Sequence, residues 1–293
     1  MSISRIALST VSALVLAGCG VTADVAAQEA SHSLTPSPAP IVATERAFAA
    51  DELIMGLDRS FLKYSTEDAI LLSSAPVRTR DVLDPNAVLD PAAPSLVWYP
   101  LWAGIASSGD LGFTTGPTEI GGRRGGYYFT VWKKQPDGSW KWVYDGGAAV
   151  NAESAPPSST EPTYLAASTG RSISPEAAME DVRAAEGLLS ARAGQDYRAA
   201  LQEALTPDGR VYVPGFAPAA EPHQVATVLA SAPATMTFEP PLGGGSSEAG
   251  DLAWVYGAAS WTRDTTARRG HYVRIWQKRG DAWRLVFYQI LPS

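Results

Sequence analysis

The chain is short of the residues that carry redox and transition-metal chemistry. It holds one cysteine, Cys19, and three histidines in 293 residues. A single cysteine excludes an intramolecular disulfide and any cysteine-based zinc site. One histidine, His32, lies in a polar N-terminal stretch, which leaves only His223 and His271 for a folded region and argues against a transition-metal centre. Positive charge is scarce as well: 23 Lys and Arg face 30 Asp and Glu, a formal charge of −7. That balance argues against nucleic acid or a bare anionic membrane as partner. No long apolar run follows Leu16, so no membrane-spanning helix is expected beyond it. Nor is there a P-loop, a nucleophile elbow or a dinucleotide fingerprint. The glycine run at Gly243 precedes a strand pattern and not a helix. No cofactor is implied.

At the N-terminus, Arg5 precedes an apolar run from Ile6 to Leu16, and Leu16-Ala17-Gly18-Cys19 follows. The run is too short to span a bilayer stably and has the form of a secretory signal. The Leu-Ala-Gly-Cys ending resembles the bacterial lipoprotein lipobox, in which the cysteine becomes the lipid-bearing first residue. The resemblance implies residues 1–18 as a signal peptide, lipidation at Cys19 and an address in the bacterial cell envelope. With Gly20 next, the resemblance implies the outer membrane, facing the periplasm. Residues 19–42 are rich in Ala, Ser, Thr and Pro, lack an apolar period and read as a flexible tether.

The rest of the chain repeats itself. Gly56-Leu57-Asp58 matches Gly194-Gln195-Asp196, "DAILL" from Asp68 matches "DGRVYV" from Asp208, and "GDLGFTTG" from Gly109 matches "GDLAWVYG" from Gly250. "RRGGYYFTVW" from Arg123 meets "RRGHYVRIW" from Arg268, and Trp140 meets Trp283. The matches keep one order at offsets between 138 and 145 residues. Two copies of one domain follow, 43–148 and 174–293, joined by a Pro/Ser/Ala-rich linker at 149–173.

Each copy opens with helical periodicity. Ala47, Ala50, Ile54, Leu57, Phe61 and Tyr64 space one stripe, and Ala178, Val182, Ala185 and Leu189 the other. Ser174 and Pro175 form a helix start, while Gly56 and Gly194 mark a left-handed stop with Asp58 and Asp196 placed to cap a second helix. Alternating strands follow, ending in an aromatic hairpin turned by Pro136-Asp137-Gly138-Ser139 or Gly280-Asp281-Ala282. A short helix is expected at Pro222–Ala230, where the first copy has a proline-rich stretch. The class is α+β, helices on one face of a curved antiparallel sheet.

This succession of helix, Gly-x-Asp, helix, "DGRVYVPG", a "GDLA" strand and a Gly-Tyr…Trp-Lys hairpin resembles the nuclear transport factor 2-like superfamily, closest to its SnoaL-like bacterial members. The resemblance implies two cone-shaped domains, each enclosing an apolar pocket. It also implies sheet-to-sheet pairing, which a tandem chain supplies as an intramolecular pseudo-dimer. Such members include ketosteroid isomerases, polyketide cyclases, dehydratases and epoxide hydrolases with an acid–base Asp or Asp/His pair; others only bind. Fold alone does not choose between them.

The residues favour a non-catalytic reading, in which the chain binds a small apolar or aromatic ligand or scaffolds a partner. In the first copy only Asp145 lies on the late strands, and Asp110, like Asp251, reads as a turn residue. In the second, His271 shares a strand face with Val273 and Ile275, and His223 begins the short helix. The alternative is therefore an acid–base enzyme (isomerase, dehydratase or hydrolase) in the second copy, using His271 or His223 with Tyr212 and Tyr256. Arg274 is on the opposite strand face, as a paired surface residue or an anion contact. Arg123-Arg124 and Arg268-Arg269 read as solvated hairpin entrances or a repeated anion grip. Trp132 and Trp276, like Trp140 and Trp283, recur in both copies and read as scaffold. Aromatics outside the repeat, Trp98, Trp102, Trp254, Tyr256 and Trp261, together with Tyr127 and His271, are the candidate ligand contacts.

Overall fold

A computed structural model describes residues 36–293, which form one compact unit. Cys19, His32, the signal segment and most of the tether lie outside the described residues. The first half runs α1 (Ala39–Met55), α2 (Leu57–Tyr64), β1 (Ser65–Leu72), β2 (Pro76–Arg78), α3 (Thr79–Val82), β3 (Leu96–Trp98), β4 (Trp102–Ile105), β5 (Leu111–Ile120), β6 (Arg123–Lys134) and β7 (Trp140–Ala148). After β8 (Thr163–Tyr164), the second half runs α4 (Pro175–Ala204), β9 (Leu205–Tyr212), α5 (Pro222–Ala230), β10 (Thr237–Phe238), β11 (Gly243–Ser246), β12 (Leu252–Arg263), β13 (Thr266–Arg279) and β14 (Ala282–Pro292). No described helix is long and apolar enough to cross a membrane.

Two sheets result, β2-β1-β7-β6-β5-β4-β8 with β3 beside β5, and β10-β12-β13-β14-β9 with β11 beside β12. The fold is α+β, with N-terminal helices on one face of each curved sheet. The sheets are not wholly antiparallel: β1 joins β7, and β9 joins β14, in parallel. Each of these strands leaves the helical layer directly and reaches the sheet at its far edge, so a tight hairpin is not its connection. The long hairpins carry register shifts at equivalent places, Val131/Trp132 and Ile275/Trp276. An extra residue at a bulge bends the strand, which lets the sheet wrap around the helices.

The helix boundaries correct two expectations. Helix α1 begins at Ala39 with Ile41 and Val42 buried, so the folded domain starts ahead of residue 43. Its buried face is Ile41, Glu45, Phe48 and Glu52, whereas Ala47, Ala50 and Ile54 are exposed. A stripe drawn through apolar residues alone missed it because two carboxylates point inward. Gly56 does break the helix, at φ 86°. In α4 the break falls at Asp196 and not at Gly194; Asp196 leaves helical geometry and its Oδ1 accepts the Ala199 amide, 3.0 Å. Helix α5 keeps the expected bounds, with Pro222 in its first turn and a Glu221/Gln224 capping box.

One apolar core fills each half and a third lies between them. Phe48, Phe61, Trp98, Trp132 and Trp142 pack inside the first half, and Val182, Leu189, Tyr197, Trp276 and Tyr288 inside the second. The outer sheet faces share the third core, where Phe129 stacks on Phe287 at 3.9 Å and 9° between planes. The contact is reciprocal. The Ser107 amide donates to Asp251 Oδ2 at 3.1 Å, and the Glu248 amide donates to Asp110 Oδ2 at 3.2 Å; Glu248 and Asp251 are the repeats of Ser107 and Asp110. Such exchange of equivalent partners is the mark of an isologous interface. The linker is part of it: Val150, Ala152 and Leu165 are buried there, and Arg124 holds the linker through the Ala155 and Ala152 carbonyls.

Candidate functional site

Helix α1 and strands β3, β5 and β6 converge on Glu45, which is fully buried in the first half. The Trp98 indole donates to its Oε1 at 2.6 Å, and the Trp132 indole donates to its Oε2 at 3.1 Å. The Thr114 hydroxyl bonds to the same Oε2. Burial dominates over these donors and pushes the Glu45 carboxyl up to about 7. Across the same interior, Thr130 donates to Asp145 Oδ2 at 2.5 Å. Burial, with the nearby Glu45 as a lesser cause, pushes Asp145 up to about 8. Asp145 is therefore buried beside Thr130 and not at a loose strand end.

The second half repeats the plan with one exchange. Glu186 on α4 stands 141 residues after Glu45. The Trp276 indole donates to its Oε1 at 2.6 Å, and Tyr272 lies 3.4 Å from its Oε2. Arg274, where the first half has Thr130, forms a buried ion pair with that oxygen. Its guanidinium lies 3.9 Å from the ring centres of both Phe238 and Tyr272. Arg274 is thus neither a surface residue nor free to greet an anion. In one interior burial raises the carboxyl toward neutrality, and in the other a cation pairs with it.

A carboxyl tuned near neutrality suits acid–base work only where substrate can reach it. The larger concavities of the described residues are surface grooves, and neither Glu45 nor Glu186 lines one. Glu45 is spent on indole and hydroxyl donors, and Glu186 on an indole and the Arg274 guanidinium.

The residues named from sequence fall in separate places. Trp98 bonds Glu45 in the first interior. Trp102, Tyr127 and Tyr212 lie in the core between the sheets, where Tyr127 meets Tyr212 and Trp102 meets Phe287, with Arg210 over the Trp102 ring. Trp261 is half-buried at the far end of β12. His223 is exposed on α5. His271 sits at the sheet margin with its Nδ1 3.5 Å from Ser293 Oγ; burial lowers its pKa, and no carboxylate is bonded to it. Tyr212, Tyr256, His223 and His271 are therefore not assembled into one acid–base site. Arg123, Arg268 and Arg269 are exposed on their strands, and Arg124 is tied to the linker carbonyls, so no paired anion grip forms.

Trp254 and Tyr256 do come together. Two residues apart on β12, their rings stack at 5.9 Å and 14°, and Tyr144 of the other half packs on both. They form the floor of a groove of about 1000 Å³ between the halves, walled by Gly243–Gly245, Ile70 and Val143. Glycine is required there: a Cβ at Gly243 would lie 2.6 Å from the Tyr256 ring. Among the described residues, no group of three His, Cys, Asp or Glu is placed to hold a metal.

No model of a known protein family matches the chain, and no curated protein does. Solved structures resemble it one half at a time. A ketosteroid isomerase-like protein from Erwinia carotovora atroseptica matches at TM-score 0.35 and 18% identity, over 39% of this chain and 94% of that one. A putative dehydratase of the NTF2-like family from Streptomyces avermitilis matches at TM-score 0.33 and 15% identity, over 41% and 99%. An NTF-2 like protein of unknown function from Shewanella oneidensis matches at TM-score 0.33 and 11% identity, over 39% and 98%. Each of these proteins is about as long as one half of the chain.

Proposed function

We propose that the chain is a non-catalytic, lipid-anchored envelope protein that binds a partner or ligand on the surface its two domains build together. The observation that carries this reading is the use of Glu45 and Glu186. Where an acid–base pocket would need an accessible carboxyl, each half buries one and ties it up, Glu45 with two indoles and a hydroxyl and Glu186 with an indole and the Arg274 guanidinium. The interiors then serve as scaffold, and Trp254 and Tyr256 are the aromatic pair that lines the groove between the halves.

A Δ5-3-ketosteroid is a suitable probe, since one similar structure is called ketosteroid isomerase-like. Incubated with the full chain, it is expected to stay unisomerised and to show no saturable binding. Turnover that disappears in Glu45→Gln would overturn the reading.

The address rests on Cys19. Cys19→Ala is expected to release the protein from the membrane fraction. The released chain should have the mass of one chain by light scattering, because the sheet-to-sheet contact is made within it. Retention in membranes would count against lipidation, and a stable dimer would count against the intramolecular pairing as a substitute for one.

A further inference from the structure

The repeat relates two sheet edges that the chain treats differently. Strand β4 pairs with β5 as Trp102↔Thr115 through Ile105↔Gly112, and β11 pairs with β12 as Gly243↔Tyr256 through Ser246↔Ala253. Every one of these pairs is displaced by 141 residues from its counterpart. The backbone bonds leading in agree: Leu101 N to Thr115 O is 2.9 Å, and Leu242 N to Tyr256 O is 2.8 Å. The two edges are the same structural element written twice.

In the first half the outer edge of β4 is occupied by the chain's own linker. Strand β8 lies parallel to it, with the Thr163 amide on the Leu101 carbonyl at 3.1 Å and the Leu165 amide on the Ala103 carbonyl at 2.8 Å. Leu165 packs over Gly104 and the Phe113 ring, and Trp102, Ala103 and Gly104 are buried as a result. The equivalent acceptors in the second half are the carbonyls of Leu242 and Gly244. Among the described residues, β11 pairs with no strand but β12. Gly244 is exposed, Gly243, Gly245 and Ser246 are half-buried, and Leu242 is 59% exposed. Trp254 replaces Phe113 and lies against Gly245, so a flat aromatic seat stands where Leu165 sits in the other half.

We propose that this edge takes an extended peptide segment of another protein, added in parallel to β11 as β8 is added to β4, with an apolar residue seated on Gly245 and Trp254. An unpaired edge supplies affinity through main-chain bonds, and alternate side chains supply selectivity. The occupant resembles the linker because the linker shows what an edge of this register accepts: Thr163 and Tyr164 extended along the strand, then Leu165 turned onto a ring. This inference deepens the proposed surface-binding reading and rests on it.

The test uses the full chain and a synthetic peptide of the linker sequence from Thr160 to Ser168, with a benzophenone side chain in place of Tyr164. The expected result is saturable binding and photo-crosslinks confined to Leu242–Ser246 and Trp254. A peptide with proline at the Thr163 position and aspartate at the Leu165 position loses an amide donor and the apolar seat, and should bind at least about tenfold more weakly. Leu242→Glu alters an exposed residue without touching the core and should weaken binding too. Crosslinks on β4, by exchange with the chain's own linker, would overturn the proposal. So would crosslinks elsewhere, no saturable binding, or equal affinity for the altered peptide or for Leu242→Glu. None of these results bears on the steroid experiment, so the binding edge and the absence of catalysis can fail separately.

Discussion

Glu186→Ala is expected to destabilise the protein by about 3–5 kcal/mol, read from urea or thermal unfolding. The size follows from what the substitution leaves behind. Arg274 is wholly buried, and among the described residues Glu186 is its only ionic partner. Its charge would then face Phe238, Tyr272 and Tyr288, whose ring faces attract a cation but do not replace a carboxylate. The Trp276 indole would lose its acceptor in the same step. The double substitution Glu186→Leu with Arg274→Met removes both charges and should recover much of the loss. Glu45→Ala in the first half strands no cation; the Trp98 indole loses its acceptor while the Trp132 indole keeps Thr114 Oγ1 at 2.9 Å, and the cost should be smaller. Near-equal losses at Glu45 and Glu186 would mean that the ion pair is not what closes the second interior.

The duplication was legible because the hairpin is built from residues with local signatures. Gly138 and Gly280 take positive φ in their turns, and Trp140 and Trp283 follow them on equivalent strands. The bounds of α5 were readable because proline and a capping box act within one turn. The interiors were not legible. Glu45 and Glu52 sit on the buried face of α1, and amphipathic reading assigns a carboxylate to solvent. The repeat itself held the missing signal, since Glu45 and Glu186 keep its offset of 141 residues. Thr130 and Arg274 occupy one position but answer the neighbouring glutamate by different means, so comparison by residue type alone could not pair them. The groove was half visible. Trp254 and Tyr256 could be named as aromatics outside the repeat, but strand alternation does not tell which sheet face meets the other half. Both faces of β6 and β13 are apolar because both are buried, one on helices and one on a sheet.

The first half should also make the protein less stable as pH rises from weakly acidic to weakly alkaline, the reverse of ordinary salt-bridged carboxylates. Glu45 ionises near 4.5 in the unfolded chain and near 7 when folded. Asp145 ionises near 3.8 unfolded and near 8 folded. Between those limits the native state keeps protons that the unfolded state has released, so the stability gradient with pH is negative. The contribution is fully present below the unfolded values and is lost as pH climbs through the folded ones. For Glu45 alone the loss is on the order of 3 kcal/mol. Glutamine keeps an acceptor for the Trp98 indole and a donor toward Thr114, and the Trp132 indole still has Thr114 Oγ1 at 2.9 Å, so the substitution removes the titration at the cost of one bond that does not vary with pH. The measurement is therefore a difference: the stability of the wild type minus that of Glu45→Gln, at about pH 5 and about pH 8. That difference should fall by about 2–3 kcal/mol over the interval, and taking it cancels the surface groups common to both proteins. Asp145→Asn should show a fall of the same sign that extends to higher pH. A difference that stays constant with pH would mean that water or a cation keeps these carboxyls ionised, and that the first interior is not closed.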